Sequence, residues 1–443
     1  MDDLETTTTD LVIPDERVYG TCGTTEFPRV GVIEQDWETN PIPEDRLAAE
    51  ASAAVAELAL EDVPAGGEVA VGAGSRGIAN VPEIVRGVVE GLSDRGYEPF
   101  VFPAMGSHGG ATAEGQREKL AALGVTEAAV GCEVRATMET EIVGETDDHG
   151  IAVHADANAA AADAIVPVNR VKPHTDFDGD VESGLSKMLV IGMGKQRGAQ
   201  MAHRWALDWS FRNMLPEIAS LIIDRLPVVG GVAVVEDLHD DTTIIEGVPP
   251  EGFLSREAEL LEIAYEQLPT LPFDDLDVLV LDRMGKDISG PGMDPNVLQR
   301  RPYEPEPILE HPRYTRVYTR SLTQPSHGNA IGLGLADLVH ADLIEEMEPE
   351  KAFTNAVTAS ALRGIRTPTA VENDRAGLTV CLSTIGVNEP ESVRLVRARD
   401  TMRLGTLVAS EALVEEARER EDLRVVAEPE PIDFEDDDFL AFP

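Results

Sequence analysis

Three histidines and one lysine stand out by where they fall in this chain. His108 lies in Ala104-Met-Gly-Ser-His108-Gly-Gly110, and His174 in Arg170-Val-Lys172-Pro-His174. Lys187 and His203 follow downstream. A histidine flanked by glycines can be approached closely by a ligand, because glycine leaves the backbone unscreened. Imidazole also changes charge near neutrality, so histidines on two separate loops can alternate as acid and base. The chain has only six lysines (119, 172, 187, 195, 286 and 351), and three of them lie between Lys172 and Lys195. In a protein that otherwise uses arginine, this clustering points to an amine doing what a guanidinium cannot, either a covalent bond or a compact point charge. Plain alternatives stay open: a lone loop histidine is often merely solvated. His203, starting a helix whose apolar face holds Trp205, Trp209 and Leu215, can equally be a core histidine.

These residues need a scaffold that brings loops together. Apolar runs of strand length alternate with helical periods from residue 43 onward. Helices are expected at 43–59, from Val81, at 113–123 and at 198–226. Strands are expected at 29–35, near Glu68, at 97–103, at 163–169 and ending near Glu236. That alternation predicts an α/β fold, a mostly parallel sheet with helices on both faces. In such sheets ligands sit at the carboxyl ends of strands. The turn Ser75-Arg76-Gly77, followed by Asn80-Val-Pro-Glu83 as a helix start with Asn80 as N-cap, reads as an anion site or as a purely structural turn.

Prolines at 269 and 272 precede a second buried strand at 277–282, placing a domain boundary there. The expected organisation is an N-terminal domain over 1–268 and a smaller second α/β domain over 269–404, with the active site between them. A C-terminal helix over 405–425 packing back on the first domain and a mobile acidic tail over 426–443 complete it. RYTRVYTRSL and GLTVCLSTI are expected to be strands of the second domain.

Asp and Glu outnumber Lys and Arg by 82 to 36, a formal net charge of −46. So negative a surface excludes nucleic acid as a partner and fits a salt-adapted, halophilic protein, or one that meets a cationic partner. Three scattered cysteines without a CxxC pattern point to a reducing compartment and away from structural zinc. With no signal-peptide pattern and no membrane-length apolar run, the expectation is a cytoplasmic protein.

Gly106-Ser-His108-Gly-Gly with Glu114-Gly-Gln-Arg-Glu-Lys-Leu120, then Pro173-His174, Lys187 and His203, resembles the lactate racemase family. Its members use a nickel-pincer nucleotide. The resemblance covers the first domain to about Glu236 and the second only in outline. It implies a 2-hydroxyacid racemase or epimerase with Lys187 as the covalent anchor of the cofactor, His203 as the nickel ligand, and His108 and His174 as the acid–base pair. Ser75 and Arg76 would contact the cofactor, and Arg76 and Lys286 the substrate carboxylate, with Lys286 closing over the site from the second domain. The chain departs from the family in the loop before Lys187, which carries Asp176, Asp178, Asp180 and Glu182 where the family has a shorter, glycine-rich segment. It also lacks the aspartate that the family has before its arginine: here Ala73 and Gly74 precede Ser75-Arg76. The substrate implied is a small 2-hydroxy acid other than lactate, such as a sugar acid or a dicarboxylic hydroxy acid. Two competing readings are a non-catalytic relative that holds nucleotide or metal, and a divalent-metal hydrolase using His108, His174 and the acidic loop. The oligomeric state is not legible.

Overall fold

In the computed structural model, residues 11–23, 25–75, 78–302, 312–387 and 389–443 are described. The chain forms two compact α/β units, Thr39–Leu268 and, separately, the described residues up to Glu38 together with Pro269–Pro443.

The Thr39–Leu268 unit is built on a five-stranded sheet. Its spatial order is Glu98–Pro103, Glu68–Ala73, Ala164–Arg170, Gly231–Glu236 and Thr242–Val248. The first four strands are parallel, with Val71 beside Val101 on one side and Val166 on the other, and the last returns antiparallel. Val69, Val71, Val166 and Val168 pack into one core with the helices Leu47–Ala54 and Val81–Ser93. Their alternating neighbours Ala70, Phe100, Phe102 and Ile165 are buried too, so both faces are covered. Burial on both faces is why these strands read as continuous apolar runs.

The expected single helix over 198–226 is two helices, Lys195–Trp209 and Phe211–Arg225. The break is Ser210, whose backbone is left-handed (φ 63°) and whose hydroxyl accepts the Arg212 N–H to cap the second helix. Asn80 also differs from expectation. It precedes the Val81–Ser93 helix in a left-handed conformation and makes no side-chain cap.

The other unit holds a nine-stranded sheet in the order Val12–Ile13, Thr369–Val371, Leu338–His340, Arg313–Leu322, Asp275–Met284, Leu395–Ala398, Thr406–Ser410, Val30–Gln35 and Leu423–Glu430. Four sequence expectations change here. The Val30–Gln35 strand, expected in the first domain, pairs with Thr406–Ser410 and Leu423–Glu430, burying Ile33. No local signal encodes so distant a pairing. The segment from 405, expected to be helical and to pack on the first domain, starts as the Thr406–Ser410 strand; only Glu411–Ala417 is helical, and both belong to this unit. GLTVCLSTI is mostly the helix Asp374–Ser383, capped by the Asn373 side chain on the Ala376 N–H. A short apolar run does not separate a buried strand from a buried helix turn.

The acidic tail is ordered as well. Phe434–Glu435 and Asp438–Phe439 form a hairpin over three arginines. Arg375 stacks on Phe434 at 4.3 Å, Arg397 on Phe439 at 4.7 Å, and Arg320 lies 5.5 Å from the Phe439 ring. Fully buried Asp374 accepts Tyr318 O–H at 2.8 Å, Arg320 Nη2 at 2.6 Å and the Phe439 N–H at 2.8 Å. Composition alone favours disorder; the arginines beneath reverse it. Among the described residues no helix is long and apolar enough to cross a membrane.

Removing the Asp374 carboxylate takes the buried Tyr318 phenol's acceptor and leaves half-buried Arg320 with Asp282 at 3.4 Å, so Asp374→Ala is expected to cost roughly 2–3 kcal/mol. Urea unfolding with hydrogen exchange checks this. The 434–440 amides should lose protection, and unchanged protection would show that the tail is held some other way.

Candidate functional site

The predicted residues of the first unit gather at the carboxyl ends of its parallel strands. His108 follows the Glu98–Pro103 strand, Ser75 the Glu68–Ala73 strand, and His174 the Ala164–Arg170 strand. The first and third of these strands flank the second, so their ends lie two strand spacings apart, roughly 10 Å. Ser75, expected to contact the cofactor, shares a hydrogen bond between its Oγ and His108 Nδ1. Arg76 lies outside the described residues. Lys286 belongs to the other unit, where its amine donates to Gly290 O and, at 3.2 Å, to Asn355 Oδ1.

The His108 loop is drawn against the elements that carry Lys187 and His203. The Gly106 N–H donates to Gly192 O at 3.0 Å, and a Cβ on Gly106 would stand 3.4 Å from Ala199 Cβ. Gly192 ends a π-helical turn, Met188–Gly192, that follows directly on the Leu185–Lys187 turn. Such turns are rare and recur at functional sites. Lys187 is half-buried, with Nζ 3.4 Å from Ser183 Oγ. His203 is half-buried on the Lys195–Trp209 helix, edge-on to Phe211 at 5.5 Å. Phe211 in turn stacks on Phe177 at 5.2 Å and on His174 at 6.4 Å. A row of aromatic rings thus links His203 to His174, and the break at Ser210 positions its middle member.

His174 has two partners at one ring nitrogen, both from Asp176. The Asp176 backbone N–H donates to Nδ1 at 3.0 Å, which suits a ring with no proton there. The Asp176 carboxylate, 3.9 Å from Nδ1, suits a ring that carries one. The same neighbour therefore serves both protonation states.

Of the clustered lysines, Lys195 is excluded from surface chemistry. It is buried with a left-handed backbone (φ 53°), and its ammonium lies 2.7 Å from buried Asp156 Oδ2. It also donates to Pro103 O and, at 3.1 Å, to Gln116 Oε1. Burial lowers the amine's pKa and raises that of the Asp156 carboxyl, and each is opposed by the other's charge. Gln116 passes the constraint on, donating to Gly106 O at 2.9 Å. Lys195 therefore braces the His108 loop. Lys172 closes the neck of the next loop, exchanging backbone hydrogen bonds with Ser183. Trp205 and Trp209, read as core, flank the His149 ring at 5.6 and 4.2 Å.

The family model described as a domain of unknown function (DUF362) matches residues 71–247, which include His108, His174, Lys187 and His203. No curated protein matches the chain. Among solved structures, the lactate racemase apoprotein from Thermoanaerobacterium thermosaccharolyticum is similar over 84% of this chain and 89% of that one, at 10% sequence identity and a TM-score of 0.41.

Sequence reasoning missed two glutamates that hold the segment between His174 and Lys187. Glu182 accepts the His174 N–H, the Gly179 N–H at 3.0 Å and the Tyr265 O–H at 2.9 Å. Glu257, fully buried on the Phe253–Glu266 helix, accepts the Ser186 N–H at 3.0 Å and the Ser186 hydroxyl. It thereby caps the turn that carries Lys187. A Cβ on Gly184 would stand 2.0 Å from Glu257 Oε1, so any larger residue there would push that carboxylate aside. Burial pushes both carboxyls up to about 7, against the donated hydrogen bonds. Glu236 works similarly, accepting the Ala79 N–H and pairing with Arg170. The signal available in sequence was acid within an apolar helical face at Glu257; Glu182 sat among other acids and carried none. The metal-hydrolase reading finds no support in this loop. Among the described residues, the carboxylate and imidazole groups spaced to hold an ion are His340, Asp374 and Asp438, in the other unit.

The raised carboxyl of Glu257 sets a pH dependence. Unfolded, it titrates near 4.5; folded, near 7. Between those values the folded chain holds a proton that the unfolded chain has released, so stability falls as pH rises through this window. Glu257→Gln cannot ionise. Its stability relative to the parent should improve by roughly 2–3 kcal/mol from pH 5 to pH 8, measured by denaturant unfolding at each pH.

Proposed function

We propose that the Thr39–Leu268 unit is the catalytic unit of an isomerase that inverts the C2 centre of a small 2-hydroxy acid, working with a nickel-pincer nucleotide held on Lys187. The observation that carries this reading is convergence: the His108 loop, the His174 loop, the Lys187 turn and the His203 helix meet through Gly106–Gly192, Gly106–Ala199 and the Phe211 ring. The residues fit such a group. Lys187 is a half-buried amine beside a π-helical turn, and His203 is a half-buried imidazole on the neighbouring helix. Lys195, the competing anchor, is committed to Asp156. When bound, the nucleotide supplies an electrophilic ring that takes up and returns the α-hydrogen as hydride.

The chain's own residues handle the proton. The substrate hydroxyl must lose its proton as the α-hydrogen leaves and regain one when the opposite face is reduced, so each face needs a group that is base in one direction and acid in the other. His108 and His174 supply these groups from different loops. His108 is oriented through Nδ1 by Ser75, and His174 through Nδ1 by Asp176.

The test is production in a host that makes the nucleotide, followed by intact mass, nickel content and loss of optical activity over a panel of 2-hydroxy acids. The parent should carry an adduct that Lys187→Ala lacks. His108→Ala and His174→Ala should keep the adduct and lose on the order of 10²–10⁴ in rate. Full activity in Lys187→Ala would refute the mechanism. An adduct without racemisation of any acid would favour the nucleotide-carrier reading.

A further inference from the structure

We infer that Glu182 is a positioning residue for His174, its carboxylate closing the 174–182 loop and fixing where the imidazole stands. This deepens the reading above and rests on the acid–base role of His174. The inference comes from how the donors converge. One oxygen accepts the His174 N–H, and the other accepts the Gly179 N–H at 3.0 Å and the Tyr265 O–H at 2.9 Å. Two of the donors lie along the loop itself, and the third comes from the Phe253–Glu266 helix, so the loop is tied to the framework rather than only to itself. Glu182 is 2% exposed, which leaves water no share in satisfying these groups. An ionised carboxylate accepts several hydrogen bonds and brings no donor of its own, whereas an amide of the same shape presents an NH₂ to at least one N–H or O–H.

Neighbouring acids in the loop do not share this role. Asp176 serves the His174 ring, and Asp178 accepts from Tyr265 O–H at 3.3 Å while its backbone O takes Arg212 Nε at 2.6 Å. The charged and titratable groups around Glu182 are therefore Asp178, Asp176 and His174 from its own loop, Tyr265 from the Phe253–Glu266 helix, and Arg212 from the Phe211–Arg225 helix. Burial pushes the carboxyl up to about 7 and the three donors pull the other way, so ionisation and loop closure support each other. Protonation removes the charge that strengthens all three bonds and turns Tyr265 from donor to acceptor, its own hydrogen then free to swing to Asp178 at 3.3 Å, so the clamp weakens. The acid-rich loop, where this chain departs from the family it resembles, thus carries its own internal clamp.

Hydrogen exchange of the 174–182 amides in the full chain, corrected for intrinsic rate and followed from pH 5.5 to 8.5, reads this without any cofactor. The ring nitrogens of His174 are followed in parallel by NMR. In the parent, protection at His174 and Gly179 should fall on the order of tenfold as pH drops through about 7. Glu182→Gln should show the low-pH protection at every pH and an altered Nδ1/Nε2 signature. Tyr265→Phe, which leaves the carboxylate in place, should keep the response with its midpoint moved upward; it also serves as the test if Glu182→Gln does not fold. A folded Glu182→Gln with parental protection and parental pH response would overturn the inference, as would pH-independent protection in the parent. If the exchange behaves as expected while cofactor-loaded parent inverts no hydroxy acid, the acid–base role falls and the loop clamp stands.

Discussion

The structure of the candidate site depends on how an irregular stretch of backbone keeps its amides satisfied away from water. After the Ala164–Arg170 strand the chain leaves the sheet ladder and does not rejoin regular structure until the turn at Lys187. Backbone N–H groups in such a segment need partners when buried. Buried Glu182 and Glu257 supply them, one at the His174 end and one at the Lys187 end. Burying a carboxylate is unfavourable, and the raised pKa of each measures that cost. The return is that two side chains of different chemistry are held by rigid elements behind them, not by the loop they sit on.

The same logic operates two strands away with the opposite charge. Lys195 and Asp156 form a buried ion pair that reaches through Gln116 to the carbonyl of Gly106. A lysine suits this place because its compact ammonium points separate N–H groups at a carboxylate, an amide oxygen and a backbone carbonyl. The scarcity of lysine in this chain marks residues that matter, but for more than one reason. Lys195 is architectural, and Lys187 is the amine proposed to anchor the cofactor.

Charge also shapes the second unit in a way that composition conceals. With a formal net charge of −46, an acidic terminus reads as a solvated tail. Here Arg320, Arg375 and Arg397 lie beneath the Phe434–Phe439 hairpin against its rings, and Arg375 also pairs with its Asp437 carboxylate. Arginine does this where lysine would not, because a planar guanidinium stacks on aromatic faces while donating in its own plane.

Periodicity in the sequence was enough to read the parallel strands at 68–73, 98–103, 164–170 and 231–236, and hence which ends of them gather His108, Ser75 and His174. Those signals are local: buried strands are continuously apolar, and loops carry glycine. Three things were decided only in three dimensions. The pairing of Val30–Gln35 with strands near the other terminus leaves no trace in neighbouring residues. The break at Ser210, which sets Phe211 between His174 and His203, is one left-handed residue inside an otherwise helical pattern. The roles of Glu182, Glu257 and Lys195 depend on which backbone amides and carbonyls they meet, and a side chain's partner across a fold is a property of packing that composition and spacing do not contain.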